Sequence, residues 1–133
     1  MLSRTGEYAL RAVVFIFRHS GDQPVLAKDV ATQAQVPLKY LQKVLRQLVH
    51  NGVLRSVRGR NGGYVLAQTP QQIHLWDVLA PFEPSLRGSA CPFGNPQCGQ
   101  ANPCPIHNRW EPIVATYRHF LKTTTLGDLT EKG

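Results

Sequence analysis

The sequence predicts a mainly α-helical fold with a small β-hairpin wing: a winged helix-turn-helix followed by a C-terminal dimerisation helix. Three segments with helical periodicity precede two short β-type runs around a glycine-rich turn, and the helical period returns near the C-terminus. That order is typical of a winged helix-turn-helix. A chain of 133 residues can hold one compact domain with an appendage. We predict a DNA-binding winged helix-turn-helix domain at residues 1–80, a cysteine-containing loop at 81–108, and a dimerisation helix with its tail at 109–133.

The first two predicted helices span Thr5–His19 and Leu26–Gln35, and each carries a stripe of apolar residues at helical spacing. The third, from Pro37 to His50, has two faces of different character. Its buried face is predicted to consist of leucines, namely Leu38, Leu41, Leu45 and Leu48. The opposite face is polar and basic, with residues at i, i+3, i+4, i+7 and i+11: Lys39, Gln42, Lys43, Arg46 and His50.

The next element is a predicted β-hairpin with strands at Val53–Val57 and Tyr64–Ala67. The turn between them is rich in glycine and carries Arg58 and Arg60. The charge distribution agrees with a polyanion-binding surface. The chain has a net charge of +7, and residues 1–60 contain ten Lys or Arg against three Asp or Glu. A positive field over this region attracts polyanions, although a solvated basic face that aids solubility remains the alternative.

Together these features predict a DNA-reading element. A major groove about 12 Å wide admits one α-helix, and side chains facing it must donate hydrogen bonds to phosphates and base edges. The third helix offers such donors in Lys39, Gln42, Lys43 and Arg46. The hairpin arginines, Arg58 and Arg60, are placed to enter the neighbouring minor groove, where the negative potential attracts guanidinium groups.

The C-terminal third of the chain changes character. A brief helix is predicted over Ile73–Leu79, and the proline- and glycine-rich segment from Pro81 to Pro105 is predicted to lack regular structure. The last helix is predicted to run from Ile106 or Arg109 to about Lys122, and a start close to Arg109 is favoured because Pro112 then fits within the first turn. Its apolar face comprises Trp110, Ile113, Val114, Tyr117, Phe120 and Leu121. This face suits either core packing or pairing with the helix of a second copy.

Three cysteines lie within fourteen residues, in the pattern Cys91-x6-Cys98-x5-Cys104, and His107 follows. Thiolates are soft ligands that favour iron–sulfur clusters, zinc or Cu(I). Zinc sites usually contain two ligands separated by two to four residues, whereas wider spacings suit a cluster of several atoms. An iron–sulfur cluster is therefore favoured, with a zinc-stabilised interaction module and a metal-free thiol switch as alternatives. Candidate fourth ligands are His107 and, from a second subunit, Glu7.

Several stretches of this sequence, taken together, resemble one protein family. They are the opening Gly6-Glu7-Tyr8-Ala9-Leu10-Arg11, the helix from Tyr40 to Leu48, the wing from Arg58 to Leu66, the three cysteines, and the tail from Thr125 to Leu129. In these stretches the sequence resembles the IscR/NsrR family of bacterial iron–sulfur transcription regulators. The resemblance covers nearly the whole chain, and the wing together with the cysteine triplet is its most specific part.

The resemblance implies a homodimer joined by a C-terminal helix, which binds double-stranded promoter DNA with an affinity that depends on cluster state. By position it makes Lys39, Gln42 and Lys43 groove-reading residues and Arg58 the wing contact. His107 matches the nitrogen ligand of the two-iron branch, and Glu7 lies where the nitric-oxide-sensing branch has a cross-subunit acid. Because both are present, a two-iron and a four-iron cluster both stay open.

Other classes of protein are disfavoured. The longest apolar run, Ala12–Phe17, is far shorter than the roughly 18 residues that cross a bilayer, so we expect a cytoplasmic protein without membrane contact. No cysteine and histidine form a pair on predicted regular elements, so we expect no enzyme. The predicted function is that of a dimeric DNA-binding transcriptional regulator, controlled by an iron–sulfur cluster that senses redox, nitric oxide or iron status.

Overall fold

The computed structural model of the protein describes residues 2–21, 23–87, 91, 98–99 and 101–129. Its helices and strands are α1 (Arg4–His19), α2 (Ala27–Ala34), α3 (Leu38–His50), β1 (Leu54–Val57), β2 (Gly63–Leu66), α4 (Leu75–Leu79), α5 (Pro84–Arg87) and α6 (His107–Thr123). Short 3-10 turns lie at Pro70–Gln72, Ala80–Phe82 and Leu126–Asp128. The order of three helices, a hairpin and a C-terminal helix confirms the predicted winged helix-turn-helix architecture.

The core lies where α1, α2 and α3 meet α4 and the start of β1. Small side chains on α1 allow its neighbours to approach closely, while larger ones on α3 fill the space between them. The fully or nearly fully buried residues of α1 and α3 are Ala9, Ala12, Val13, Ile16, Leu41, Val44, Leu45 and Leu48. Each buried Leu or Ile stabilises the fold by about 1.5–3 kcal/mol relative to an exposed side chain.

Local signals define the ends of these helices. Ser3 caps α1, because its Oγ accepts a hydrogen bond from the Gly6 backbone amide at 3.0 Å. Helix α2 ends at Gln35, which adopts the left-handed conformation with φ of 58°. Pro37 is the N-cap residue of α3 and supplies no side-chain cap, so α3 begins at Leu38, one residue later than predicted.

The wing is an antiparallel hairpin in which Leu54 pairs with Leu66 and Val57 with Gly63. A single-residue bridge ties it to the segment between α1 and α2, since Val25 and Tyr64 exchange backbone hydrogen bonds of 3.0 and 2.8 Å. Gly63 lies at this junction with φ of 150°, and a Cβ there would approach the Val25 carbonyl oxygen to 2.5 Å. Only glycine allows the wing to pack this closely.

The C-terminal segment returns to the core of the first 80 residues. Leu121 and Leu126 are buried in the same cluster as the residues of α1 and α3. Backbone hydrogen bonds reinforce the contact: the Leu75 amide donates to the Thr124 carbonyl at 2.8 Å, and the Leu126 amide donates to the Ile73 carbonyl at 2.9 Å. These contacts fix the C-terminal end of α6 against the core of the first 80 residues. Among the described residues, no helix has the length and apolar character needed to cross a bilayer.

The buried face of α3 differs from the prediction at one position. Leu38 is 41% exposed, and Val44 is buried in addition to the three other predicted leucines. Leu38 is the first residue of α3. Helical side chains lean toward the N-terminus, so this one projects beyond the layer formed by α1 and α2. Helical periodicity thus identified the buried face of α3 correctly, but it could not show that α1 and α2 do not extend far enough to cover Leu38.

Two predictions for the C-terminal third were wrong in detail. The segment from Pro81 to Pro105 contains a helix, α5, at its beginning, and α6 starts at His107 rather than near Arg109. Pro112 consequently lies in the second turn of α6, where it cannot donate to the Asn108 carbonyl. Both residues are exposed, so water can satisfy that carbonyl and the helix continues.

Candidate nucleic-acid interface and cysteine site

Helix α3 presents its polar and basic face to solvent. All five residues predicted there are exposed: Lys39, Gln42, Lys43, Arg46 and His50. In the part of the chain that the structure describes, the ion pairs are Arg11–Glu7, His74–Asp77 and Arg118–Glu111. None of them involves a cation of this face, so its charges remain available to a polyanion.

The wing presents two further cations. Its tip is a tight turn closed by a 3.0 Å hydrogen bond from the Gly62 amide to the Gly59 carbonyl, and Arg60 lies inside that turn. Arg58 immediately precedes it, and both arginines are exposed. A Cβ at Gly62 would lie 2.3 Å from the Val57 carbonyl oxygen, so a glycine is needed for the turn to close against the strand. The hairpin therefore holds both guanidinium groups at one end of the molecule.

Contacts between α1 and α3 set the position of the reading helix. The hydroxyl groups of Thr5 and Tyr40 form a hydrogen bond, and the rings of Tyr8 and Tyr40 meet edge to face with centroids 5.5 Å apart. Tyr40 lies in the first turn of α3, next to Lys39. The start of α1 is thus in direct contact with the first turn of α3, which carries Lys39.

The three cysteines converge although they are separated in sequence. The Sγ atoms of Cys91, Cys98 and Cys104 all lie within 4.8 Å of one another, and all three residues are half-buried. His107, the first residue of α6, places its Nδ1 3.3 Å from the Cys98 Sγ. The fold thereby assembles three sulfur donors beside one imidazole nitrogen.

The surroundings of Cys98 change the pKa of its thiol. The largest influence on its pKa is the hydrogen bond that the Cys104 backbone amide donates to its Sγ at 3.3 Å, which lowers the pKa. Partial desolvation and the neighbouring thiols of Cys104 and Cys91 act in the opposite direction and together outweigh it, so the pKa is raised overall. At Cys98 this balance favours the neutral thiol over the thiolate.

The donor set fits a thiolate-bound metal centre. Tetrahedral zinc with Zn–S bonds of about 2.3 Å would require sulfurs roughly 3.8 Å apart, and an iron–sulfur cluster requires cysteine sulfurs converging on one compact group. The observed separations allow the sulfurs to face a common centre. His107 can add a nitrogen ligand from the end of α6. Soft sulfur donors suit iron–sulfur clusters and zinc alike, so this geometry supports both.

Glu7, the other predicted fourth ligand, lies elsewhere within the chain. Its carboxylate is 3.8 Å from the Arg11 guanidinium one turn along α1, and both side chains are about half exposed. The structure therefore brings His107, and not Glu7, to the cysteines of the same chain.

Sequence reasoning missed one buried charged residue, Glu83. Its side chain is only 5% exposed, and its Oε1 accepts hydrogen bonds from the Ser3 backbone amide at 2.7 Å and from the Ser3 Oγ at 2.9 Å. The same carboxylate influences Tyr117 of α6. Burial is the main cause that raises the pKa of this phenol, and the negative charge of Glu83 raises it further. No sequence pattern signals Glu83, because its partners lie eighty residues away.

A helix-turn-helix with a basic exposed reading helix and an arginine-bearing wing defines a winged-helix, DNA-binding transcriptional regulator. The family model described as "Rrf2: Iron-dependent Transcriptional regulator" matches residues 2–132. The chain belongs to the Rrf2 family. Proteins of this family are transcriptional regulators and not enzymes.

Individual relatives agree with this assignment. The chain is 32% identical over 131 residues to a putative HTH-type transcriptional regulator of Aquifex aeolicus, covering 97% of this chain and 90% of that protein. It is 31% identical over 128 residues to the regulator IscR of Yersinia pseudotuberculosis, and the match covers 96% of this chain and 77% of that protein. Among solved structures, CymR, the global cysteine regulator of B. subtilis, superimposes with a TM-score of 0.80 at 25% identity, covering 100% and 98%. T. potens IscR superimposes with a TM-score of 0.75 at 26% identity, and the match covers 96% of this chain and 84% of that structure.

Proposed function

We propose that this protein is a dimeric transcriptional regulator whose promoter binding is controlled by an iron–sulfur cluster that senses redox, nitric oxide or iron status. The observation that carries the proposal is the convergence of three sulfurs within 4.8 Å, on a chain that also presents an exposed basic reading helix. The description of the family as iron-dependent and the IscR relatives support the cluster. The CymR neighbour supports thiol-based control as the rival.

DNA recognition is assigned to α3 and the wing. Helix α3 enters the major groove with four donor side chains: Lys39, Gln42, Lys43 and Arg46. Arginine and lysine pair best with guanine, and glutamine pairs with adenine. Arg58 and Arg60 at the wing approach the adjacent minor groove. These assignments follow from the exposure of the six side chains on two neighbouring elements.

A homodimer is proposed through the outer face of α6. Ile113 is 54% and Phe120 50% exposed, whereas only Val114 and Leu121 of the predicted apolar face are buried in the chain's own core. A cavity of about 500 Å³ lies along this face, lined by Pro112, Ile113, Thr116, Tyr117 and Phe120. A second copy of α6 related by twofold symmetry would cover it and place two reading helices on a palindromic site.

The cysteine site is proposed to hold the cluster with Cys91, Cys98, Cys104 and a fourth ligand, either His107 or Glu7 of the partner subunit. When bound, the cluster supplies iron that reacts with oxidants and nitric oxide. The chain contributes three cysteine sulfurs, which would bind the cluster as thiolates. His107 links this ligand set directly to the first turn of α6. A change in the ligand set therefore acts on the element proposed to join the two subunits.

The proposal is tested by anaerobic purification followed by DNA titration. We expect a coloured protein with bound iron and sulfide, and an affinity for duplexes selected from a random pool that differs between cluster-loaded and cluster-free protein. Coupling of this kind usually amounts to about 5–150-fold. The matched control is a variant with all three cysteines replaced by serine. It should bind DNA like the cluster-free protein and contain no iron.

Other outcomes would decide between the rivals. A colourless protein with equimolar zinc, and no change in DNA affinity on metal removal, would support the zinc-stabilised interaction module. A metal-free protein whose DNA affinity changes on thiol oxidation would support the thiol switch. Failure of every form to bind the selected DNA at low salt would contradict the DNA-binding assignment itself.

A further inference from the structure

Glu83 stands out because it is a buried carboxylate that neither DNA binding nor the cysteine site uses. It immediately precedes α5 and lies eight residues before Cys91, at the start of the segment that leads to the cysteines. Burying an ionised carboxylate is costly unless hydrogen bonds compensate. Here the two bonds from Ser3 provide that compensation.

The contact occurs at the N-terminus of α1. Ser3 is the N-cap residue of α1, so its Oγ holds the Gly6 amide while also contacting Glu83. The positive end of the helix dipole further favours a carboxylate at this place. Gly6 makes the close approach possible, since a Cβ on it would lie 2.1 Å from the Glu83 Oε1. Glu83, Ser3 and Gly6 thus form one small joint, which we call the α1 clasp.

The clasp is adjacent to the contacts that hold the reading helix. Two residues beyond Ser3, Thr5 forms its hydrogen bond with Tyr40 of α3, and Tyr8 packs its ring against the same tyrosine. On the other side of the clasp, α5 is tied to α6, because Arg118 Nε donates to the Leu86 carbonyl at 3.1 Å. Helix α6 in turn reaches the cysteines, because its first residue, His107, contacts the Cys98 Sγ. The described contacts therefore lead from Cys98 through α6 and α5 to Glu83, and from there along α1 to the first turn of α3.

We propose that Glu83 is a positioning residue that transmits the state of the cysteine site to the reading helix through the N-terminus of α1. The inference rests on the proposed function, because it requires that ligand binding at the cysteines changes DNA affinity. When the cysteine ligand set changes, His107 moves the start of α6, and the bond from Arg118 to Leu86 carries this movement to α5 and Glu83. The first turn of α1 then shifts, and Tyr40 moves with it. Glu83 touches neither the DNA nor the cluster.

The contact between Glu83 and the start of α1 can be disrupted by a substitution on either side of it. Glu83→Ala removes the carboxylate. Gly6→Ala keeps Glu83 in the sequence, but the new methyl group occupies the space of its carboxylate and forces it to move. Alanine also favours the helix more than glycine does, so Gly6→Ala protects the folding of α1. Glu83→Gln keeps an oxygen acceptor for Ser3 and is the conservative variant. Asp128→Ala is the matched control, because its carboxylate also caps a turn, accepting from the Thr125 amide at 2.9 Å, but away from α1 and α3.

The first measurement is the ratio of DNA dissociation constants for cluster-loaded and cluster-free protein. We expect Glu83→Ala and Gly6→Ala each to reduce this ratio toward one by about fivefold or more, at the lower end of usual allosteric coupling. Their combination should not be additive, since both open the same joint. Glu83→Gln should restore most of the ratio, and Asp128→Ala should keep it within about twofold. An unchanged ratio in both clasp variants would overturn the proposal.

The second measurement is amide hydrogen exchange on cluster-free protein without DNA. In the clasp variants we expect two hydrogen-bonded amides to exchange about tenfold faster, that of residue 6 and that of Leu41, which donates to the Pro37 carbonyl at 2.9 Å; Asp128→Ala should leave both unchanged. If the wild-type protein shows no iron and no coupling, the proposed function fails, but this measurement still reports on the clasp. If coupling is present and exchange at α3 does not respond to Glu83→Ala, only the role of Glu83 is refuted.

Discussion

The reading region, residues 4–66, and the cysteine segment, residues 84–106, are built in opposite ways. The reading region places its cations on helices and a hairpin packed over a continuous apolar core. Among the described residues of the cysteine segment, only Leu86 is buried, and the contacts of Cys98 include His107 and the Cys104 backbone amide. The surface proposed to bind DNA is thus built on the apolar core, whereas the site proposed to respond to a signal lies on a segment with few described core contacts.

Apart from a core truncation used below as a reference, the largest effect is expected from a substitution in the reading region, at Gly63. In Gly63→Ala, the methyl group would meet the Val25 carbonyl at 2.5 Å on a backbone with φ of 150°. We expect the free energy of unfolding to fall by about 2–3 kcal/mol, measured by urea denaturation. Gly21→Ala is the control, because nothing lies within 4 Å of its new Cβ. Equal stability of the two variants would show that the wing is not held by this junction.

The next effect concerns DNA affinity. Arg58→Ala should weaken specific binding by about 1–3 kcal/mol, because it removes a guanidinium group that we propose enters the minor groove. Lys43→Ala should weaken binding to all sequences and lower the slope of log affinity against log salt by about one unit. Arg109→Ala removes an equal charge from the exposed surface of α6 and serves as the control. If it matched Arg58→Ala in a titration of labelled DNA, net charge rather than the wing would explain binding.

A smaller effect is expected at the turn between α2 and α3. Gln35 has φ of 58°, a conformation that favours glycine, so Gln35→Gly should raise the free energy of unfolding by about 0.5–1 kcal/mol. The same substitution two residues earlier, Gln33→Gly, lies inside α2 and should lower it by a similar amount. Thermal unfolding of the pair would test this. Shifts of the same sign in both variants would contradict the argument.

The smallest effect is expected in the cysteine segment. With chelator and reductant present, Cys91→Ser should change the free energy of unfolding by less than about 0.5 kcal/mol, because the side chain is half-buried outside the apolar core. Leu48→Ala, a fully buried change in α3, should cost about 2–5 kcal/mol in the same denaturation experiment. A cost for Cys91→Ser approaching that of Leu48→Ala would mean that this segment belongs to the folding core.

Sequence reasoning succeeded where one element's own pattern decides the outcome. The exposed basic face of α3 and the hairpin with two arginines followed from side-chain periodicity and turn composition. It failed where residues far away along the chain determine whether a side chain is buried or exposed. Leu38 continues the leucine stripe but extends past its packing partner, and Pro112 is tolerated in the second turn because that stretch of α6 faces solvent.

By itself, the sequence determined the order of the elements, the sign and location of the charge, and the supply of three soft ligands, because each depends on residue identity and near-neighbour spacing. Only the tertiary structure decided that the sulfurs meet within 4.8 Å, that α6 leaves Ile113 and Phe120 uncovered, and that Glu83 is buried against Ser3. Those three facts depend on how segments far apart along the chain approach one another in space. Such approach is governed by the packing of the whole core and not by any local pattern.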